Sequence, residues 1–138
     1  SVVERLVANE KVEGSTPFAR SILVMNDLLN KKCVPCEGGV KAFDISEIHK
    51  YQKKVDGWEI VQNDKKAYLL EKKFDFKNFL DSQKFVNEVG KVSEDEGHHP
   101  DIIFGWGYAK INITTHAITG LSENDFILAA KIDQLVNV

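Results

Sequence analysis

Apolar positions along the chain recur at helical spacing in some stretches and at alternating spacing in others, and their order outlines a domain. Phe18, Ile22, Met25 and Leu28 or Leu29 fall on one face of a short amphipathic helix that ends before Lys31. Asp44, Ile45, Ser46 and Glu47 have the form of an N-cap with a glutamate three residues on, and Ile45, Ile48, Tyr51 and Val55 continue as a helical stripe that Gly57 ends. Trp58 to Gln62 reads as a strand with Trp58 and Ile60 on one face. Asn63-Asp64 reads as a turn, and Lys66 to Phe74 as the returning strand.

Helical spacing returns from Lys77 to Glu96, where Phe79, Val86 and Val89 form a stripe that Phe85 and Val92 widen, a face broad enough for contacts on two sides. Beyond the loop EGHHPD, Ile102 to Trp106 and Ala109 to Thr115 read as two further strands around Gly105 and Gly107. In the second of these, alternation puts Ala109, Ile111 and Ile113 on one face and Lys110, Asn112, Thr114 and His116 on the other. Gly120 breaks the pattern. Ser122, with Asp125 three residues later, starts a last helix carrying Phe126, Leu128, Ala129, Ile132 and Leu135. Two hairpins separated by one helix predict an α+β, two-layer domain: a four-stranded antiparallel sheet with helices packed on one face. The chain texture changes near residue 40, so residues 1–43 are expected to be an N-terminal extension and residues 44–138 the domain.

Composition narrows what such a domain can do. A chain of 138 residues suits one core, and 18 Lys+Arg against 21 Asp+Glu leave a net charge of −3, with no basic field to neutralise phosphates, which argues against direct nucleic-acid binding. No apolar run is long enough to cross a membrane, and Glu4, Glu10 and Glu13 stand where a signal or transit peptide would avoid acids. Two cysteines, Cys33 and Cys36, are too few for a disulfide scaffold. The expectation is a cytoplasmic or organellar protein (mitochondrion or plastid, if a leader was removed) rather than a secreted one.

The densest chemistry is Glu94, His98, His99 and Pro100, followed by His116 and Asp125. Three of the four histidines lie within 19 residues. Glu94 and His98, four apart at a helix end, can share a face and interact. Histidine exchanges protons near neutrality, as general acid–base catalysis of a dehydration or tautomerisation requires. Structural readings stand beside these. A His-His pair can be a solvated loop, His116 a strand-end residue, Asp125 the capping partner of Ser122, and Glu94 part of an acidic run.

Three histidines and a carboxylate could also bind zinc or iron, although no His-His pair has the spacing of a helical zinc motif. The Cys33-Val34-Pro35-Cys36 segment has the form of half a zinc knuckle without a second half, which leaves local structure as its main reading. Glycine loops for phosphates or dinucleotides and a nucleophile elbow are absent from the sequence.

The segment from Glu94 onward resembles the signature of the pterin-4a-carbinolamine dehydratases. That signature is an acidic residue, three residues, His-His-Pro, an aromatic after five more, a histidine after nine, and an aspartate after at least eight. Here it is met by Glu94, His98, His99, Pro100, Trp106, His116 and Asp125. Gly57-Trp58 and Phe74, Phe76 and Phe79 extend the resemblance over residues 44 to 136, and the extension with its KKCVPCEGG is similar to longer plant- and protist-type members. The resemblance implies elimination of water from 4a-hydroxytetrahydrobiopterin to give quinonoid dihydropterin, without cofactor or metal. It also implies catalysis by His98, His99 and His116, and substrate binding by Glu94, Gly97, Pro100, Thr114, Thr115, Ala117, Asp125 and Trp58, with main-chain groups near Thr114 and Thr115 holding the pterin. Glu94 would orient His98, and the partners would be the pterin and further copies of the chain, as tetramer or dimer.

The same resemblance carries an alternative, a non-enzymatic cofactor of transcription-factor dimerisation or of enzyme assembly. A metal-dependent enzyme using the same histidines is a third reading.

Overall fold

The structure is a computed structural model that describes residues 27–34 and 41–136. In chain order the domain comprises helix α1 (Ile45–Gln52), strands β1 (Glu59–Gln62) and β2 (Tyr68–Asp75), and helix α2 (Phe79–Glu96). Strands β3 (Asp101–Gly105) and β4 (Tyr108–Ile113), a 3-10 turn (His116–Ile118) and helix α3 (Glu123–Val136) complete it. The four strands form one antiparallel sheet in the order β1-β2-β4-β3. This is the expected α+β arrangement.

Strand alternation sets the two faces of the sheet. Leu70, Phe74, Ala109, Ile111 and Ile113 are buried towards the helices, while Lys73 and Ile103 point out of the opposite face. Pairing β2 against β4 in the register Leu70↔Ile113 brings the start of β2 beside the end of β4. The β1–β2 turn and the segment after β4 therefore meet at one end of the sheet.

Helix ends follow the predicted caps, and the apolar stripes follow less closely. The Asp44 side chain accepts from the Glu47 N–H, as the sequence indicates, but α1 stops at Gln52 and its Ile45 is 44% exposed. Val55 is buried from the turn that follows, before Gly57 at φ 77°. In α2 the buried seam is Ser82, Phe85, Val89 and Ser93, and Phe79 lies 46% exposed against Phe104. Serine fits that seam because the Ser93 hydroxyl donates to the Val89 carbonyl at 2.7 Å, so its polar group is satisfied inside the helix. Helix α3 is buried on nearly every side, with Phe126 through Ala130 all inaccessible.

Residues 27–34 pack onto the domain. Leu28 is completely buried in the core, worth about 2 kcal/mol by area. Phe18, Ile22, Met25 and Cys36 lie outside the described residues. No described helix is long and apolar enough to cross a membrane.

Candidate active site

The site begins at the C-terminus of α2. Gly97 adopts a left-handed backbone (φ 65°), its N–H donates to the Glu94 carbonyl at 3.2 Å, and the His98 N–H donates to the Ser93 carbonyl at 3.1 Å. This pair of bonds is the Schellman motif, and a glycine makes it without the penalty a Cβ carries at positive φ. Its effect is to turn the chain abruptly, so that His98 leaves the helix end facing the start of α3.

There His98 meets Asp125: Nε2 lies 2.7 Å from Oδ1, with the imidazole 13% exposed and the carboxylate fully buried. The other carboxylate oxygen, Oδ2, accepts from the Ser122 N–H and from the Thr115 hydroxyl, both at 2.8 Å, and Thr115 Oγ1 lies 3.2 Å from Ser122 Oγ. Asp125 thus caps α3 with one oxygen and holds His98 with the other. The capping reading of the sequence is met, and the second oxygen ties the helix start to His98. A carboxylate only accepts, so Nε2 of His98 is the donor, and in the neutral imidazole this leaves the lone pair on Nδ1.

Glu94 departs from expectation. Its Oε1 lies 2.6 Å from Nε2 of His99, not on His98, and both side chains are more than half exposed. The four-residue spacing assumed a helix continuing to residue 98, whereas Gly97 ends it and swings His98 to the α3 side. An exposed pair of this kind contributes little to stability.

His116 also differs from its expected setting. It does not continue the polar face of β4, because the strand ends at Ile113 and residues 116–118 form a 3-10 turn. Thr115 is buried, and its N–H donates to the Gly120 carbonyl at 2.9 Å while its carbonyl accepts from Gly120 and Ile118, closing the loop at its neck. The Thr115 N–H is therefore already spent. The Thr114 hydroxyl donates to the Tyr68 carbonyl at 2.9 Å and the Gly120 carbonyl at 3.2 Å, which ties the loop to β2. Exposed His116 and Ala117 stand at the loop tip. A continuous chain of contacts, His98 to Asp125 to Thr115, ends on the residue before His116.

An open cleft of about 310 Å³ is lined by Thr114, His116 and Thr119 on one side and by Asn63, Asp64, Lys65 and Ala67 of the β1–β2 turn on the other. Those turn residues carried no chemical signal in the sequence, since their place beside His116 depends on the β2–β4 register. The turn itself is built by Asn63, whose Oδ1 accepts from the N–H groups of Lys65 and Ala67.

Trp58 lies elsewhere. It is buried, and its indole N–H donates to both oxygens of Asp133 at 3.0–3.1 Å. Lys72 donates to the same carboxylate at 2.8 Å. Burial pushes the Asp133 carboxyl upward, with Lys72 and the indole opposing it. Trp106 is 71% exposed at the β3–β4 turn, Gly97 and His99 are exposed, and Pro100 is half-buried beside them. Among the described residues, no three His, Cys, Asp or Glu side chains group as a metal site.

Cys33 is half-buried, its N–H donates to Glu96 Oε1 at 2.9 Å, and its Sγ lies 3.5 Å from the Asn124 carbonyl. Burial, with the Glu96 charge beside it, pushes the thiol up to about 12. A thiol so protonated is neither a nucleophile nor a ready metal ligand at neutral pH.

Known proteins resemble this chain in sequence and in fold. A family model described as pterin 4 alpha carbinolamine dehydratase matches residues 41–135. A protein of Rubrobacter xylanophilus named "Putative pterin-4-alpha-carbinolamine dehydratase" is 45% identical over 111 residues, 80% of this chain and 100% of the relative. That stretch is longer than residues 41–138, so it reaches back into the segment before the family domain. Among solved structures, a transcriptional coactivator/pterin dehydratase from Brucella melitensis shares the fold with a TM-score of 0.63 at 23% identity, over 70% of this chain and 99% of its own. A pterin dehydratase-like protein identified as a RuBisCO assembly factor in the alpha-carboxysome matches with a TM-score of 0.50 at 26% identity, over 58% of this chain and 89% of its own. With the family domain covering most of the chain, this protein belongs to the pterin-4a-carbinolamine dehydratase family.

Proposed function

We propose that this protein is a hydro-lyase, a 4a-hydroxytetrahydrobiopterin dehydratase that eliminates water from the pterin 4a-carbinolamine in tetrahydrobiopterin recycling. The observation that carries the reading is the buried Asp125 carboxylate 2.7 Å from His98 Nε2, which orients an imidazole whose other nitrogen has no hydrogen-bond partner among the described residues. The elimination breaks the C4a–O bond, forms the N5=C4a double bond and removes the N5 proton. Nothing is oxidised or reduced, so the step needs a base and an acid but no redox cofactor.

His98 and His116 are the acid–base residues. Nδ1 of His98 suits the base that takes the N5 proton, and His116, as imidazolium, suits the acid that protonates the departing hydroxyl, although the two roles are interchangeable in principle. Each contribution is worth roughly 10²–10⁴ in rate. His99, steadied by Glu94, contacts the substrate with a share in catalysis. Gly97, Pro100, Thr114 and Ala117 border it, and Asp125 and Thr115 position the histidines.

The test is the dehydration rate of freshly generated 4a-hydroxytetrahydropterin with metal-free wild type, His98→Ala and His116→Ala, each verified as folded. A wild-type acceleration that falls at least about tenfold in both variants is the expected result. A wild-type rate equal to the uncatalysed one overturns it.

That second outcome would favour an assembly or dimerisation role, which the likeness to the RuBisCO assembly factor supports. Either role accommodates self-association as a dimer or tetramer, for which Phe79, Leu80, Ile103 and Trp106, 46–71% exposed, supply apolar surface.

A further inference from the structure

Residues 31–34 run as a strap across the two helix ends that carry His98 and Asp125. At the α3 end the Val34 N–H donates to Asn124 Oδ1 at 3.0 Å, and Asn124 Nδ2 donates back to the Val34 carbonyl at 2.6 Å. Asn124 is 5% exposed and precedes Asp125 in the chain. Lys31 pairs with Glu123, on the other side of Asn124, at 2.8 Å.

At the α2 end the Cys33 N–H donates to Glu96 Oε1, and Lys32 donates to the Asp95 carbonyl at 3.1 Å. Glu96 Oε2 in turn receives Lys131 of α3 at 2.6 Å, a pair whose carboxylate is only 6% exposed. Glu96 stands immediately before the Gly97-His98 turn. Beneath the strap, completely buried Leu28 anchors it in the core.

We propose that this strap positions the acid–base pair, with Asn124 as its principal positioning residue. The two helix ends are joined by the side-chain pairs His98–Asp125 and Glu96–Lys131, and a pair held at 2.7 Å tolerates little sliding between them. The strap bonds to both ends within four residues and so fixes their separation. Residues 27–34 are then part of the catalytic scaffold and not an appendage. The catalytic consequence rests on the dehydratase reading, whereas the geometric one does not.

The test uses the full chain with two variants that cut the tie from opposite sides. Asn124→Ala removes both bonds to Val34. Val34→Pro removes the N–H while leaving α3 intact, and the Val34 side chain is 65% exposed, so no core contact is lost if the helix-side variant fails to fold. The readouts are NMR exchange of the His98 ring N–H, together with kcat and KM for the carbinolamine.

Faster exchange of that proton, by about tenfold, with kcat down about tenfold and KM within about twofold, is the expected result. Unchanged exchange in the folded variants overturns the positioning role, whatever the activity. Faster exchange with wild-type kcat overturns its catalytic relevance. A wild type without dehydratase activity removes the functional reading alone, and the exchange measurement still decides whether the strap holds the pair.

Discussion

His98 and Asp125, 27 residues apart, are joined through Nε2 and Oδ1 at 2.7 Å, and the oxygen that holds the imidazole is not the one that caps α3. One buried carboxylate therefore couples helix initiation to histidine orientation. Asp125→Asn keeps the shape and one acceptor but introduces an amide that must face the donors from His98, Ser122 or Thr115. The expected loss is roughly 10²-fold in kcat, with stability lowered by about 1–3 kcal/mol. Steady-state kinetics beside urea unfolding tests this, and a variant with wild-type kcat would contradict the orienting role.

Gly97 offers a second handle on the same geometry. No atom lies within 4 Å of where a Cβ would sit, so Gly97→Ala meets no steric block and pays only for its positive φ of 65°. About 1 kcal/mol of stability should be lost, with kcat reduced because the α2 exit that aims His98 is strained. A melting temperature equal to wild type would show that the left-handed turn is not required.

Acid should loosen the strap. Burial pushes Glu96 upward, but Lys131, the Cys33 N–H and Lys32 outweigh it and leave the carboxyl below its usual value. Glu123 is held low by Lys31, against its own burial, with Tyr51 assisting. A lowered native value stabilises the fold above the ordinary glutamate value of 4.5, and the stabilisation is lost as pH falls through the native value. Asp133, raised by burial, acts in the opposite sense and favours the fold as it protonates. Hydrogen exchange measured below pH about 4 should therefore show the Cys33 and Val34 amides opening before those of β4. Simultaneous opening would refute this.

Cys33 should resist alkylation. A thiol at about 12 leaves only about one part in 10⁴ as thiolate at pH 8. Site-resolved mass spectrometry with iodoacetamide should find it modified at least about a hundredfold more slowly than a free cysteine. Denaturant should restore the reactivity, and rapid labelling of the native chain would mean that the thiol is not held as the structure places it.

Leu28 tests whether residues 27–34 are integral to the fold. Leu28→Ala should cost about 2–5 kcal/mol in urea unfolding, whereas Leu80→Ala, at a position 57% exposed, should change the stability of the monomer fold by less than about 0.5 kcal/mol. Equal effects would place Leu28 outside the core.

Much of this was legible along the chain because it depends on near neighbours. Strand alternation put Ala109, Ile111 and Ile113 inside, and the Asp44 and Ser122 caps marked two helix starts, since a cap is a contact over three residues. The spacing from Glu94 to Asp125 carried the family, and the histidines it singled out stand at a helix exit and a loop tip. Where local spacing was extended past its element, it failed. Helical periodicity joined Glu94 to His98 across a glycine that ends the helix, and strand alternation carried His116 one turn too far.

What the sequence alone determined is the α+β order, the helix caps and the histidine–carboxylate inventory, because those follow from periodicities and short-range hydrogen bonds. Only the tertiary structure decided that His98 belongs to Asp125 and Glu94 to His99, that Asn63 to Lys65 face His116, and that residues 31–34 lie across the ends of α2 and α3. Each of these is a contact between segments 27 or more residues apart, or turns on a single left-handed glycine, and neither is visible in the spacing of side chains along one element.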